Sequence, residues 1–267
     1  MATTSVQGPP LAVGRTAEIY PWGEKQVVKL FRPGMPPGLA EKEAATGRIV
    51  AEAAVGAPPV GDVVTVDGRP GIVYGRIDGE SMLQRLQRRP WTVWGLGRTL
   101  GQLHAKMHGV ARPQLPPVRD YLQRDMERAQ ELTAELRAAV TARLLALPDG
   151  SAVCHGDFHP DNVILTREGP VVIDWMTAGH GNPDADVART VLMLRHGQPM
   201  GASALQLKLI ELLRQQLLSG YLRAYRARRP CPDSAIEDWV PVIAAARLSE
   251  GIESEREMLL GLAARAR

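Results

Sequence analysis

A chain of 267 residues, 45% hydrophobic and 23% charged, has the proportions of a globular protein with material for one large core or two smaller ones, which excludes disorder and fibrous repeats. It holds no apolar run of 18 residues or more, and its first ten residues have neither a basic start nor an apolar signal segment, so it reads as cytoplasmic with no membrane partner. The net charge of +3 is unevenly placed, at 0 over residues 1–78, +4 over 79–150, −4 over 151–190 and +3 over 191–267. Basic residues are scattered at helical intervals, aromatics make up 4%, and no nucleic-acid motif is present, which argues against nucleic acid as a partner. Cys154 and Cys231 lack the spacing of a metal site and are too few for a disulfide framework, so they read as small buried hydrophobes.

Short β-rich runs punctuated by Gly and Pro predict strands at 11–13, 18–20 and 26–31, the last two joined by a turn at 22–25. Pro36-Pro37-Gly38 admits a helix over 39–55, which Gly56 and Pro58-Pro59 stop, and strands follow at 62–67 and 71–77. From residue 81 the period becomes helical, with Val93, Leu96, Leu100, Leu103 and Met107 on one stripe, and a second long helix is predicted over 119–146. Short apolar strands at 152–154, 162–165 and 171–173 bracket polar loops. Beyond 184 the chain reads as helical, with breaks at Gly201, Pro230 and Gly251.

The densest polar cluster is His155-Gly-Asp157-Phe-His159-Pro-Asp-Asn162, followed by Asp174 at the end of an apolar strand. Carboxylate and amide oxygens around an open position suit a hard cation such as Mg²⁺, which takes one or two carboxylates plus substrate phosphates. A hydrogen-bonded turn accounts for neither the two histidines nor an aspartate closing a buried strand.

The pattern His155-x-Asp157-x4-Asn162, then Val-Ile-Asp174-Trp175, resembles the catalytic loop and metal-binding motif of the aminoglycoside phosphotransferase family, which shares the protein-kinase-like fold. The resemblance implies an α+β fold of two lobes. A small β-rich nucleotide-binding lobe would occupy 1–78, with a hinge at 74–79. A larger, mainly helical lobe would occupy 79–267 and carry the catalytic and metal-binding loops (152–175) and the acceptor site. The implied reaction is ATP-dependent transfer of a γ-phosphoryl group to a hydroxyl of a small molecule, such as an aminoglycoside antibiotic or a choline- or sugar-like metabolite, with GTP as the other candidate nucleotide. In that reading Asp157 accepts the proton of the attacking hydroxyl, Asn162 and Asp174 hold Mg²⁺, and His155 braces the loop.

Physical reasoning on the first 78 residues adds to this. Lys29 sits inside the apolar strand Val27-Val-Lys29-Leu-Phe31 and needs an anionic partner. On the helix over 39–55, Glu43 lies on the apolar stripe with Leu39, Thr46, Val50 and Ala54, whereas Glu41 lies on a more polar face, so Glu43 is the expected partner. The pair resembles the kinase ion pair that positions the α- and β-phosphates. Gly14, Arg15 and Thr16 lie between two strands and offer backbone N–H groups and a hydroxyl to phosphates, although only one glycine is present. Gly75 and Ile77 match the family's hinge, where backbone groups would meet the purine; Gly75 stands where an acidic residue is often found.

Other residues invite plainer readings. His159 is placed to touch phosphate or substrate. Glu250, Glu253 and Glu257 fall near one helix face and form a candidate anionic wall for a cationic acceptor. His104 and His108 are four apart on a helix, but no Glu follows as in H-E-x-x-H, and His104 reads as a packing histidine. Asp184 and Asp186 read as helix-capping residues. Two rival functions use the same residues. One is a noncatalytic nucleotide-binding protein of kinase-like fold. The other is a metal-dependent hydrolase built on His155, Asp157, His159 and Asp174, with His104 or His180.

Overall fold

A computed structural model describes residue 6 and residues 8–36, 38–196 and 204–267. Residues 1–5, 7, 37 and 197–203, the predicted helix break at Gly201 among them, lie outside the described residues. In chain order the elements are β1 (Ala12–Val13), β2 (Ala17–Trp22), β3 (Gln26–Phe31), α1 (Leu39–Glu52), β4 (Val60–Val66), β5 (Arg69–Gly75), β6 (Glu80–Ser81), α2 (Met82–Arg88), α3 (Val93–Met107), α4 (Val118–Arg128) and α5 (Ala134–Ala146). They continue with β7 (Ala152–Cys154), β8 (Val163–Leu165), β9 (Pro170–Val172), β10 (Gly179–Gly181), α6 (Pro183–His196), α7 (Ala204–Arg226), α8 (Asp233–Arg247) and α9 (Arg256–Ala263), with short 3-10 turns between. None of the described helices is long and apolar enough to cross a membrane.

The chain forms two compact units, one of residues up to 80 together with 163–176, the other of 81–162 and 177–267. The first is a mixed unit in which a five-stranded antiparallel sheet, ordered β1-β2-β3-β5-β4, carries α1 on one face. Ala40 and Ala44 of α1 pack on Ala17, Phe31 and Ile72 of the sheet, their small side chains letting the helix lie close. Residues 163–176, which the sequence reading places in the helical lobe, belong here: β8 and β9 form an antiparallel hairpin, and Val172 N–H donates to Gly56 O at 2.8 Å. The β4–β5 hairpin begins two residues earlier than predicted because Asp67 and Gly68, with φ of 50° and 75°, form its turn.

The second unit is mainly helical. Gly97 and Gly101 let α3 meet α7 backbone to backbone; a Cβ at Gly101 would lie 2.2 Å from Tyr221 O. Its core also holds Val240, Val242, Ile243 and Ala244 of α8 and both cysteines, which are free and buried. The single helix predicted over 119–146 is two. Ala129 leaves the helical region with ψ of 100°, and Thr133 starts α5 by accepting Leu136 N–H on its side chain. The Arg137 guanidinium then donates to the loop carbonyls of the buried Ala129 (2.8 Å) and Leu132 (3.3 Å), which steadies the break.

Candidate active site

Each unit carries a polar cluster, and the first is built around Lys29. Central strand β3 pairs Lys29 with Ile19 on one side and Ile72 on the other, so its stem is enclosed and the residue is 8% exposed. Its ammonium meets Glu43 Oε1 of α1 at 2.8 Å, as the helical stripe predicted; Glu41 is exposed. Two further partners arrive from distant sequence. Asp174 Oδ1 lies 2.8 Å from the same Nζ, and the Tyr74 hydroxyl donates to Glu43 Oε1 at 2.9 Å. Burial alone would lower the Lys29 pKa, but the charges of Asp174 and Glu43 outweigh it and hold the ammonium protonated, its pKa raised. Asp174 adopts a left-handed backbone, φ 63°, unusual for a residue with a Cβ, and its side chain remains 40% exposed.

Gly14, Arg15 and Thr16 lie in the β1–β2 turn, with Gly14 and Arg15 exposed and Thr16 half-buried. Gly14 spends its N–H on Ala17 O (2.9 Å), and its carbonyl accepts from the Arg32 guanidinium at 3.1 and 3.2 Å. Its φ is not in the left-handed region, so the turn does not depend on glycine there. Gly75 ends β5 and donates its N–H to Pro59 O at 3.0 Å; a Cβ there would come within 3.2 Å of the Pro59 ring. Ile77, two residues on, is half-buried.

The second cluster is the loop 155–162, and α6 holds it residue by residue. Asp186 accepts the backbone N–H of His155 at 2.5 Å and of Gly156 at 2.9 Å. Arg189, one turn on, reaches Asp157 Oδ1 at 3.3 Å, and Thr190 donates to Phe158 O at 2.9 Å. Within the loop, the buried His155 accepts Asp157 N–H on Nδ1 (3.2 Å), and Asn162 Nδ2 donates to Asp157 O (2.9 Å), which leaves the Asn162 amide oxygen turned away from that bond. His159 accepts Asp161 N–H on Nδ1 at 3.3 Å, and its Nε2 lies 3.2 Å from Asn162 Nδ2 and 3.4 Å from Asp157 Oδ2. Gly156 has φ 77°, and a Cβ there would lie 2.7 Å from Thr177 O. Burial pushes the Asp157 carboxyl up, but the His159 hydrogen bond and the Arg189 charge overcome it and keep the group ionised, far below the usual carboxylate range.

Sequence reasoning missed most of what supports this loop. Asp186 was expected to cap a helix; instead Asn182 accepts Asp184 N–H at the start of α6, and Asp186 turns inward. Its Oδ2 also faces His104 Nε2 at 3.1 Å and His108 Nε2 at 3.3 Å, while the two Nδ1 atoms meet the hydroxyls of Tyr221 and Tyr225, each at 2.7 Å. Burial opposes the charge of Asp186, yet its donors hold the carboxyl well below its ordinary value. An ionised Asp186 accepts only, so both histidines carry the proton on Nε2 and accept from tyrosine on Nδ1. His104, His108 and Asp186 are the one group of three metal-ligand atoms within 4.8 Å among the described residues, and they are already satisfied by hydrogen bonds. His155, Asp157, His159 and Asp174, the hydrolase set, are not in it. The i, i+4 histidine spacing and an aspartate two residues before Ala188 were the signals available.

The anionic wall is not formed as expected. Glu250 ends a 3-10 turn, Glu253 begins another and Glu257 lies in α9, because the left-handed Gly251 (φ 65°) breaks the helix that would have aligned them. Glu253 is exposed beside Arg256 at 3.6 Å, and Glu257 is exposed. Glu250 is spent on Arg189 (2.7 Å) and Arg247 (3.3 Å).

The sequence profile of the phosphotransferase enzyme family (APH) matches residues 13–231, most of the chain. No curated protein sequence matches. Among solved structures, an aminoglycoside-3'-phosphotransferase of type VIII is similar at 21% identity, covering 92% of each chain with a TM-score of 0.64. A choline/ethanolamine kinase family protein from Mesorhizobium loti is similar at 18% identity, covering 98% of this chain and 87% of the other with a TM-score of 0.62. A thermostable mutant of aminoglycoside phosphotransferase APH(4)-Ia, in ternary complex with AMP-PNP and hygromycin B, is similar at 15% identity, covering 97% and 92% with a TM-score of 0.64. At these identities the structures share the protein-kinase-like fold, and the profile match joins it to the motifs above: the chain belongs to the phosphotransferase enzyme family.

Proposed function

We propose that this phosphotransferase moves the γ-phosphoryl group of ATP to a hydroxyl of a small molecule. The observation that carries the reading is the buried Lys29 ammonium held between Glu43 and Asp174, both at 2.8 Å, a fixed cation of the kind that phosphate positioning requires. Asp157 meets the acceptor. The hydroxyl oxygen bonds to the γ-phosphorus, the bond from that phosphorus to the β–γ bridging oxygen breaks, ADP leaves, and the hydroxyl proton passes to the Asp157 carboxylate. Such a transfer has a loose transition state, so Asp157 acts chiefly by orienting the hydroxyl, and its low pKa is compatible with that role.

Each of the two residues that the motif implies as Mg²⁺ ligands has suitable donor chemistry in its own unit: the partly exposed Asp174 carboxylate uses Oδ1 for Lys29, and Asn162 offers an amide oxygen while its Nδ2 donates to Asp157 O. When bound, the ion neutralises charge on the β- and γ-phosphate oxygens. The acceptor belongs to the range suggested by similar proteins, which includes hygromycin B in the APH(4)-Ia complex, streptomycin in an APH(2")-IIa complex with ATP, and the choline/ethanolamine kinase family. Because arginines already neutralise Glu250, an aminoglycoside cation has to find its counter-charges elsewhere.

Thermal unfolding with and without Mg·ATP and Mg·GTP tests the nucleotide half without knowledge of the acceptor. Wild type should gain several degrees with Mg·ATP, and Asp174→Ala should lose that gain, while Asp157→Ala keeps it but transfers no phosphate. A larger gain with GTP reassigns the nucleotide, and no gain with either overturns the proposal.

A further inference from the structure

We propose that Arg189 is a positioning residue for phosphoryl transfer: its guanidinium holds Asp157 Oδ1 and so fixes the angle at which the carboxylate is presented to the acceptor hydroxyl. The inference rests on the phosphotransferase reading above. Arg189 is set one turn beyond Asp186 on α6, so the two project from the same face. Asp186 fixes the backbone of His155 and Gly156, and Arg189 alone among the α6 contacts reaches the carboxylate of Asp157. It does so from a largely enclosed site, its side chain 15% exposed, which leaves the guanidinium little room to swing.

One nitrogen, Nη2, serves both Asp157 Oδ1 at 3.3 Å and Glu250 Oε1 at 2.7 Å. Glu250 is held in turn by Arg247 Nη1 at 3.3 Å, and Arg247 is paired with the buried Glu255 at 2.7 and 3.1 Å. The alternating chain Asp157–Arg189–Glu250–Arg247–Glu255 ties the reacting carboxylate to the 3-10 turn that leads into α9. On the other side of the carboxylate, Oδ2 is met by His159 Nε2 at 3.4 Å and by Asn162 Nδ2 at 3.5 Å, contacts about as long as the Arg189 bond, so Asp157 is restrained at both oxygens and Arg189 supplies the restraint at Oδ1. A carboxylate free to rotate would present either oxygen at a wider range of angles, and misorientation of this kind lowers the rate of the chemical step without affecting nucleotide binding.

Steady-state kinetics with Mg·ATP tests the proposal, using hygromycin B, streptomycin, choline, ethanolamine and water as acceptors and whichever wild type phosphorylates fastest. Arg189→Met should lower kcat by about 10- to 100-fold with the KM for ATP within about twofold, and Arg189→Lys should recover part of the loss. The double variant Arg189→Met with Glu250→Gln removes the buried partner charge together with the arginine, and so guards against a variant that merely fails to fold. It should stay as slow as the single variant. Recovery of wild-type kcat in the double variant would reduce Arg189 to a counter-charge for Glu250 and overturn the proposal, as would an unchanged kcat in folded Arg189→Met. A wild type that turns over none of the five acceptors overturns the phosphotransferase reading, and this inference with it.

Discussion

Glu43 makes its contacts through one oxygen. Oε1 receives both the Lys29 ammonium and the Tyr74 hydroxyl, whereas Oε2 is buried without a hydrogen-bond partner among the described residues. A buried carboxylate oxygen left this way is costly, so the Tyr74 bond does more to hold Glu43 toward Lys29 than an ordinary tyrosine contact. Tyr74→Phe should therefore reduce the unfolding free energy by about 1–2 kcal/mol, measured by urea denaturation, and loosen the Lys29 pair. A change below about 0.3 kcal/mol would show that the hydroxyl does not restrain Glu43. The Lys29–Glu43 pair itself was legible: a lysine inside an apolar strand and a glutamate on an apolar helical stripe each state that the charge is buried. Tyr74 and Asp174 were not legible as partners, since they lie 31 residues from Glu43 and 145 from Lys29, and no local period connects them. Arg189 was hidden for the same reason, being an arginine on a helix where most arginines are solvated.

At the scale of elements, α6 is the frame for the loop 155–162, and the loop must approach it closely enough for Asp186 to collect two successive N–H groups. Gly156 makes this possible. Its φ of 77° is open to glycine at little cost, and a side chain would strike Thr177 O at 2.7 Å. Gly156→Ala should thus destabilise by about 2 kcal/mol or more, seen as a lower urea midpoint with an unchanged m-value. A midpoint indistinguishable from wild type would mean that the loop relaxes away from this conformation. The elements that carry the loops, β3, α1, α3 and the strands at 152–154 and 163–165, follow from sequence because period and punctuation agree there. The α4–α5 break escaped because residues 129–133 contain no Gly or Pro, and the stop comes from backbone carbonyls satisfied by Arg137. The shifted β4–β5 hairpin, in contrast, carried the Asp-Gly turn signal in plain view.

At the scale of the whole molecule, the return of residues 163–176 to the first unit is what gives Lys29 its second carboxylate, and linear order conceals such a return. The buried hub of the second unit makes stability depend on pH. Burial, together with the neighbouring His108, lowers the His104 pKa from 6.5 to about 4, although its bond to Asp186 opposes the shift. The folded form therefore resists protonation while the unfolded chain takes up a proton below about pH 6.5, so stability falls as pH drops from 6.5 towards 4 and levels off once both forms are protonated. The full loss is roughly 3 kcal/mol for a shift of this size. His196, half-buried and shifted the same way, adds a smaller share in the same window, whereas Asp157 and Asp186, held below their usual range, act only at lower pH. Urea unfolding at pH 7.5, 6.0 and 5.0 should show this decline in wild type, and His104→Gln should flatten most of it whatever its absolute stability, because glutamine retains a hydrogen-bonding group without titrating. Equal slopes in the two proteins would place the acid-sensitive group outside the hub and leave His104 as no more than a packing residue.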